Sequence, residues 1–209
     1  MTDLVVVRHG ETVWHQEHRY AGASDIGLTP LGLQQAAQLA RWAVGARVSA
    51  VWASPLRRAR VTALACAEAL GMSMVVDPRL RELDFGSAEG LTPDEIEARF
   101  PAAMRAFGED PVANHLPGGE DPVDGAARFT ECLREIAGRH DGERVLVVAH
   151  GTAMRLAICA LVGLRLRDYR QLFPVVRNAA ITEIRLVDGA VSLLEFNTPI
   201  GWAGQTAAP

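Results

Sequence analysis

Three short apolar runs, each stopped abruptly by polar residues and a glycine or proline, constrain this chain more than any other feature. Leu4 to Val7 runs into Arg8, His9 and Gly10; Val145 to Ala149 runs into His150 and Gly151; Val48 to Ala53 runs into Ser54 and Pro55. Runs of this kind, rich in β-branched residues, have the form of strands buried on both faces. Around them lie segments with apolar residues at helical spacing: Leu31 to Val44, Leu56 to Leu70, Pro93 to Phe107, Gly125 to Ala137 and Thr152 to Val162. The alternation predicts an α/β fold, a three-layer sandwich with a mostly parallel central sheet flanked by helices. Ala180 to Val187 and Ala190 to Phe196 flank Asp188 and Gly189 and predict a C-terminal β-hairpin. Thr29 before Pro30, and Thr92 before Pro93, Asp94 and Glu95, are helix start signals.

With 209 residues, 49% of them hydrophobic, the chain can bury one sizeable core, so a single domain over residues 1–209 is expected. Acids and bases are interspersed and the net charge is -4, which gives no footprint for nucleic acid or an anionic membrane. The absence of a long apolar span or a signal-peptide core leads to the expectation of a soluble, cytoplasmic protein. Cys66, Cys132 and Cys159 are far apart in apolar surroundings and read as buried free thiols, not as a zinc or redox motif. Two irregular stretches, His15 to Leu28 and Gly108 to Asp124, have the composition of loops that roof a pocket, and Gly201 to Pro209 that of a fraying tail.

Ligands of an open parallel sheet bind beyond the carboxyl ends of its strands. Arg8, His9 and Gly10, then His150 and Gly151, then Arg57, Arg58 and Arg60 after Ser54, should therefore converge at one edge. Two imidazoles with a guanidinium make a positively polarised pocket suited to a phosphoryl dianion, and the glycines let a phosphate approach backbone N–H groups. Either histidine alone would read as an ordinary surface or hydrogen-bonded residue. The three arginines cannot all face one small pocket. A metal site from His9, His15 and His18 with Glu11 and Asp25 is disfavoured, since Arg8 beside the first ligand would repel a cation.

The segments RHGET (Arg8 to Thr12, followed by Trp14), LTPLG (Leu28 to Gly32), SPLRRARVTA (Ser54 to Ala63), LRELDFGSAEG (Leu80 to Gly90), PGGE (Pro117 to Glu120) and VLVVAHG (Val145 to Gly151) span nearly the whole chain. In content and order they resemble the histidine phosphatase superfamily, the phosphoglycerate mutase-like family. The resemblance implies a phosphomonoester hydrolase of its phosphatase branch, acting on a small phosphorylated metabolite without metal or other cofactor. It implies that His9 is the phosphorylated nucleophile, Arg8 and Arg58 are phosphate clamps, His150 is the second active-site histidine and Glu82 is the proton donor. Thr12 and the backbone of Gly151 would add hydrogen bonds. His15 departs from the pattern, which has an asparagine that contacts the phosphate; a histidine there could still donate to it.

The chemistry requires the imidazoles of His9 and His150 to meet at one phosphorus atom, with neither ring sealed from solvent. His9 must attack while neutral, its other nitrogen held by an acceptor; burial against Leu83 and Phe85 would help keep Glu82 protonated, while neighbouring arginines would oppose that. Resembling mutases carry an arginine and a tyrosine after the catalytic glutamate. Here Leu83, Asp84 and Phe85 follow, and an acid there disfavours a phosphoglycerate carboxylate, so a hydrolase ranks above a mutase. A non-catalytic phospho-ligand binding or regulatory protein is the third reading. Leaving-group contacts are expected from the His15 to Leu28 loop and the Glu95 to Asp121 region, where Phe100, Met104, Phe107 and His115 face either a pocket or the core, the helical spacing of the first three favouring the core. The hairpin or an apolar helix face would serve a homodimer. Activity is expected to survive exhaustive chelation; turnover lost with EDTA and restored by one divalent metal would reverse that.

Overall fold

The computed structural model describes residues 1–201, and the part of the expected fraying tail from position 202 onward lies outside the described residues. The first apolar run forms β1 (Thr2–Arg8), the second β2 (Ala50–Ala53) and the third β4 (Arg144–Ala149). A three-residue edge strand, β3 (Met74–Val76), had no run long enough to read, and the hairpin forms β5 (Ile181–Val187) and β6 (Ala190–Thr198). The sheet order is β3-β2-β4-β1-β5-β6. The first four strands in that order pair in parallel, and β5 and β6 add antiparallel on one side. At the hairpin turn Asp188 and Gly189 have φ of 49° and 84°, the left-handed pair a two-residue turn needs.

Helices cover both faces. On one, α6 (Pro122–Arg139) and α7 (Gly151–Val162) pack Phe129, Leu133, Ile136 and Met154 against Leu4, Val6, Val145 and Val147. On the other, α2 (Pro30–Gly45) and α3 (Arg57–Leu70) pack Leu39, Ala43, Ala63 and Cys66 against Val5, Val7, Leu146 and Val148. Alternate residues of β1 and β4 thus serve opposite cores, which is why those runs lack polar residues. The three cysteines are free and buried.

The start signals operate as read: Thr29 Oγ1 accepts from the Gly32 amide, and Thr92 and Glu95 form a capping box. The single helix expected over Pro93 to Phe107 is instead two, α4 (Pro93–Arg99) and α5 (Pro101–Glu109). Pro101 disfavours helical geometry at the residue before it, and Phe100 sits between the helices at φ -136° and ψ 57°. Short helices α1 (Val13–Gln16) and α8 (Tyr169–Leu172) complete the set. Among the described residues no helix is long and apolar enough to cross a membrane.

Phe129 is fully buried between α6 and the sheet. Phe129→Ala should lower stability by about 3–5 kcal/mol, read as a fall in the urea midpoint; an unchanged midpoint would refute this packing.

Candidate active site

Because β1 and β4 are parallel neighbours with Arg8 opposite Ala149, the residues just past them leave the sheet side by side. The His9 amide donates to the Ala149 carbonyl at 3.0 Å, and the rings of His9 and His150 lie 5.1 Å apart. Arg58 enters from the first turn of α3 and is wholly buried, whereas Arg57 and Arg60 are exposed, which sorts the arginine cluster.

The tautomer of His9 follows from its contacts. Nδ1 of His9 faces the carbonyl of Gly10 at 2.7 Å, an acceptor only, so this nitrogen carries the proton. Nε2 keeps its lone pair and accepts from Arg58 Nε at 3.2 Å. Burial first, then Arg58, Arg8 and His15, hold the His9 pKa well below the usual histidine range. For His150, Nε2 contacts Ser54 Oγ at 2.7 Å, and that oxygen also accepts from the Leu56 amide at 3.3 Å. The hydroxyl proton is free to go to Nε2, which puts the ring proton on Nδ1, an atom with no partner among the described residues. Burial, followed by Arg58 and His9, pushes the His150 pKa down too. Burial and the guanidiniums thus hold both rings toward the neutral form, so the guanidiniums are the main source of positive charge in the pocket.

Arg8 and Arg58 are both anchored on backbone carbonyls. Arg58 donates from Nη1 to Ser24 O (2.7 Å) and from Nη2 to Ala21 O (3.2 Å) and Gly22 O (2.8 Å), tying down the 15–28 loop. Arg8 donates from Nη1 to Val176 O at 2.7 Å, touches His15 Nε2 through Nη2, and leaves its buried Nε unpaired. Desolvation lowers the Arg8 pKa to about 10.

His15 meets Arg8 at Nε2, while its Nδ1 lies 2.9 Å from the Thr12 amide and 2.8 Å from the Thr12 hydroxyl. Burial, then Arg8 and Arg58, lower its pKa to about 3. Its ring is 5.5 Å from that of His9.

Glu82 lies at the N-terminus of α7. Its Oε1 accepts from the amides of Leu83 (2.9 Å) and Ala153 (2.7 Å), and its Oε2 from that of Thr152 (2.9 Å). Glu82 is buried as expected, and three backbone donors hold its carboxylate there, with Oε2 alone keeping a lone pair to spare.

The glycines act differently from the expectation. A Cβ on Gly10 would stand 2.5 Å from the Gly32 carbonyl, and one on Gly32 would overlap the carbonyl of Glu11. Gly10 lets the strand end press against α2, and its amide is taken by Thr62 Oγ1 at 3.0 Å. At Gly151 a Cβ would meet the Arg8 side chain at 3.3 Å, so this position makes room for the clamp.

A cavity of about 230 Å³ opens over the site, lined at its inner end by Arg8, His9, Thr12, His15 and Glu82. His9 is 4% exposed and His150 not at all. The requirement of solvent access is thus met narrowly by His9 and not by His150, whose ring lies beside that of His9 and contacts Ser54. Tyr20 from the 15–28 loop and Phe107 line the cavity, while Phe100 and Met104, as their helical spacing favoured, pack with Phe107 in the core around Leu83, Ile96 and Leu116. His115 lines a separate surface depression. Asp84 does not reach the cavity, since its carboxylate accepts from the Gly86 amide at 2.8 Å, and the argument that it repels a substrate carboxylate fails. Arg155, Tyr169 and Arg170 line the outer wall and were missed. One signal was present: Arg155 is the one charged residue in the otherwise apolar helix that follows His150.

Residues 4–199 match the family model described as histidine phosphatase superfamily (branch 1). Phosphoserine phosphatase 1 of Hydrogenobacter thermophilus is 33% identical over 169 residues, which cover 81% of this chain and 80% of that protein. A probable phosphoglycerate mutase of Erwinia tasmaniensis is 34% identical over 184 residues, or 88% and 85% of the two chains. The solved structure of a mycobacterial glucosyl-3-phosphoglycerate phosphatase in complex with VO3 aligns with a TM-score of 0.86 at 32% identity, covering 94% of this chain and 99% of that one.

The lowered histidine pKa values fix the sign of a stability effect. Unfolded histidine takes up a proton near pH 6.5, whereas folded His9, His15 and His150 resist it. Between pH 6.5 and about 3 the unfolded state binds more protons, so stability is greatest above 6.5 and falls on acidification. The urea midpoint should drop from pH 7 to pH 5, and His15→Asn, which removes one titrating ring, should shrink the drop. An equal drop in the variant would show that His15 protonates normally in the fold.

Proposed function

The chain belongs to the histidine phosphatase superfamily, and on that premise we propose that His9 takes the phosphoryl group of a small phosphorylated metabolite and passes it to water. The observation that carries this reading is the His9 tautomer: Nδ1 is occupied by its bond to Gly10 O at 2.7 Å, and Nε2 presents a lone pair among guanidiniums. Phosphoryl transfer asks mainly for positioning and for charge stabilisation on the equatorial oxygens. Arg8, Arg58, the Nδ1–H of His150 and the Thr12 hydroxyl are the groups we assign to those oxygens, with His15 and the Gly151 backbone beside them.

In the first step Nε2 attacks phosphorus, releasing Arg58 Nε, and the ester oxygen leaves with a proton delivered from Glu82 Oε2. A phosphohistidine and a free alcohol result. In the second step water attacks the phosphorus in line with the P–N bond, Glu82 accepts its proton, and inorganic phosphate leaves with His9 neutral again. The guanidiniums supply the positive charge that other phosphatases obtain from metal ions, so no metal enters either step.

His9→Ala should abolish phosphate release from an aryl phosphate with the fold intact, and brief reaction of the wild type with labelled substrate should leave acid-labile, base-stable label on His9. Glu82→Gln should slow hydrolysis of alkyl phosphates by roughly 10²–10⁴-fold, and much less so for aryl esters with a good leaving group. Phosphoglycerate interconversion outrunning phosphate release in a coupled assay would replace hydrolysis with intramolecular transfer.

A further inference from the structure

PGGE is the segment of the family pattern whose acid, Glu120, lines no part of the cavity. Its glycines press it against the stretch of chain that carries Glu82. A Cβ on Gly86 would stand 2.3 Å from Gly118 C and 2.4 Å from Gly119 N, and one on Gly119 would stand 2.9 Å from the Asp84 carbonyl. The Ser87 amide donates to Pro117 O and the Glu120 amide to Asp84 O, each at 2.9 Å. Glu120 is thereby delivered beside residues 79–84, where its carboxylate accepts from Arg81 Nη2 at 2.9 Å and from the Asp84 amide at 3.4 Å.

Facing it, Arg128 of α6 spends every N–H it has. Its Nε donates to Glu120 Oε1 and its Nη2 to Glu120 Oε2, both at 2.7 Å, a bidentate pair. Nη1 donates to Arg79 O at 2.7 Å and Arg81 O at 2.8 Å, and Nη2 donates again to Glu82 O at 3.1 Å. Five acceptors thus answer the five donors of a guanidinium. The two side chains are largely buried, Arg128 at 12% and Glu120 at 11% exposure. The carbonyls of Arg81 and Glu82 take no backbone hydrogen bond among the described residues, so Arg128 is what satisfies them. Residues 81–85 belong to no helix or strand, and neither sheet register nor helical pitch fixes where Glu82 sits. Its carboxylate is tied to α7 through the amides of Thr152 and Ala153, and its backbone to α6 through Arg128.

We propose that Arg128, oriented by Glu120, is a positioning residue for the proton donor: it fixes the backbone of Glu82 so that Oε2 stands at the leaving oxygen. This rests on the reading above, in which Glu82 delivers that proton. Neither Arg128 nor Glu120 touches the substrate, and both act through residue 82. A lysine cannot take the place of Arg128, because one ammonium cannot span a carboxylate and three separate carbonyls. His9, Arg8 and Arg58 have anchors of their own and are left as they are when Arg128 changes.

The test measures kcat/KM, which reports cleavage of the ester bond, for p-nitrophenyl, phenyl and ethyl phosphate, whose leaving oxygens need a proton increasingly in that order. Arg128→Lys should slow ethyl phosphate by about 10–10²-fold and p-nitrophenyl phosphate by less than about threefold. Glu120→Gln should show the same selectivity at smaller size, and decides the matter by the same comparison where Arg128→Lys does not fold. In Glu82→Gln, which lacks the donor, adding Arg128→Lys should change nothing further. Inorganic phosphate should inhibit each single variant as strongly as the wild type. An equal loss on all three esters, an unchanged rate for ethyl phosphate, weaker inhibition by phosphate, or an additive loss in the double variant would overturn the proposal. Glu82→Gln alone separates the two ways to fail. If it is selective for the alkyl ester and Arg128→Lys is not, only the positioning role falls; if Glu82→Gln slows every ester equally, the proton-donor reading falls and the positioning role with it.

Discussion

The parallel pairing of β1 with β4 is the contact on which the rest depends. It joins two segments from opposite halves of the chain, and its register, Arg8 against Ala149, places His9 and His150 at the same height above the sheet. A slip of one residue would turn every side chain of one strand to the other face. The two cores resist that slip, since Leu4 and Val6 are committed to α6 and α7 while Val5 and Val7 are committed to α2 and α3. The geometry of the imidazole pair is thus set by apolar packing several residues below it.

Above that edge, the molecule uses arginine in two ways. At the periphery guanidiniums meet carboxylates: Arg79 with Asp77 and Glu135, Arg128 with Glu120, Arg185 with Asp3. Three arginines at and beside the histidine pair instead meet carbonyls, Arg58 those of Ala21, Gly22 and Ser24, Arg8 that of Val176, Arg155 those of Gly151 and Phe173. A carbonyl fixes orientation without cancelling the charge. The field of the pocket is therefore left for an anion to satisfy, and after burial it is the next cause of the lowered pKa values of His9 and His150. The desolvation cost of these cations is one that an anionic ligand can offset.

The loop of residues 15–28 is held by the same machinery. Arg58 bonds its carbonyls, and the carboxylate of Glu89 accepts from the amides of Ala23 and Ser24. The loop and His9 consequently share the guanidinium of Arg58, so the loop cannot move without disturbing a contact of His9.

Much of this was legible beforehand because it is written in local pattern. Strand ends and helix starts follow from short-range periodicity and capping, and the family resemblance picked Arg58 out of three arginines by its place in a motif. The split of α4 from α5 was legible too, in Pro101, but helical spacing on both sides masked it. What the chain order could not disclose were the partners of each polar atom: that Gly10 supplies the acceptor for His9, that three amides surround Glu82, that Asp84 turns to Gly86 and that Gly151 makes way for Arg8. Periodicity says which face a residue occupies. Where a carboxylate or a guanidinium ends up depends on which distant backbone groups the packed layers bring within hydrogen-bond reach, and only the tertiary structure decides that.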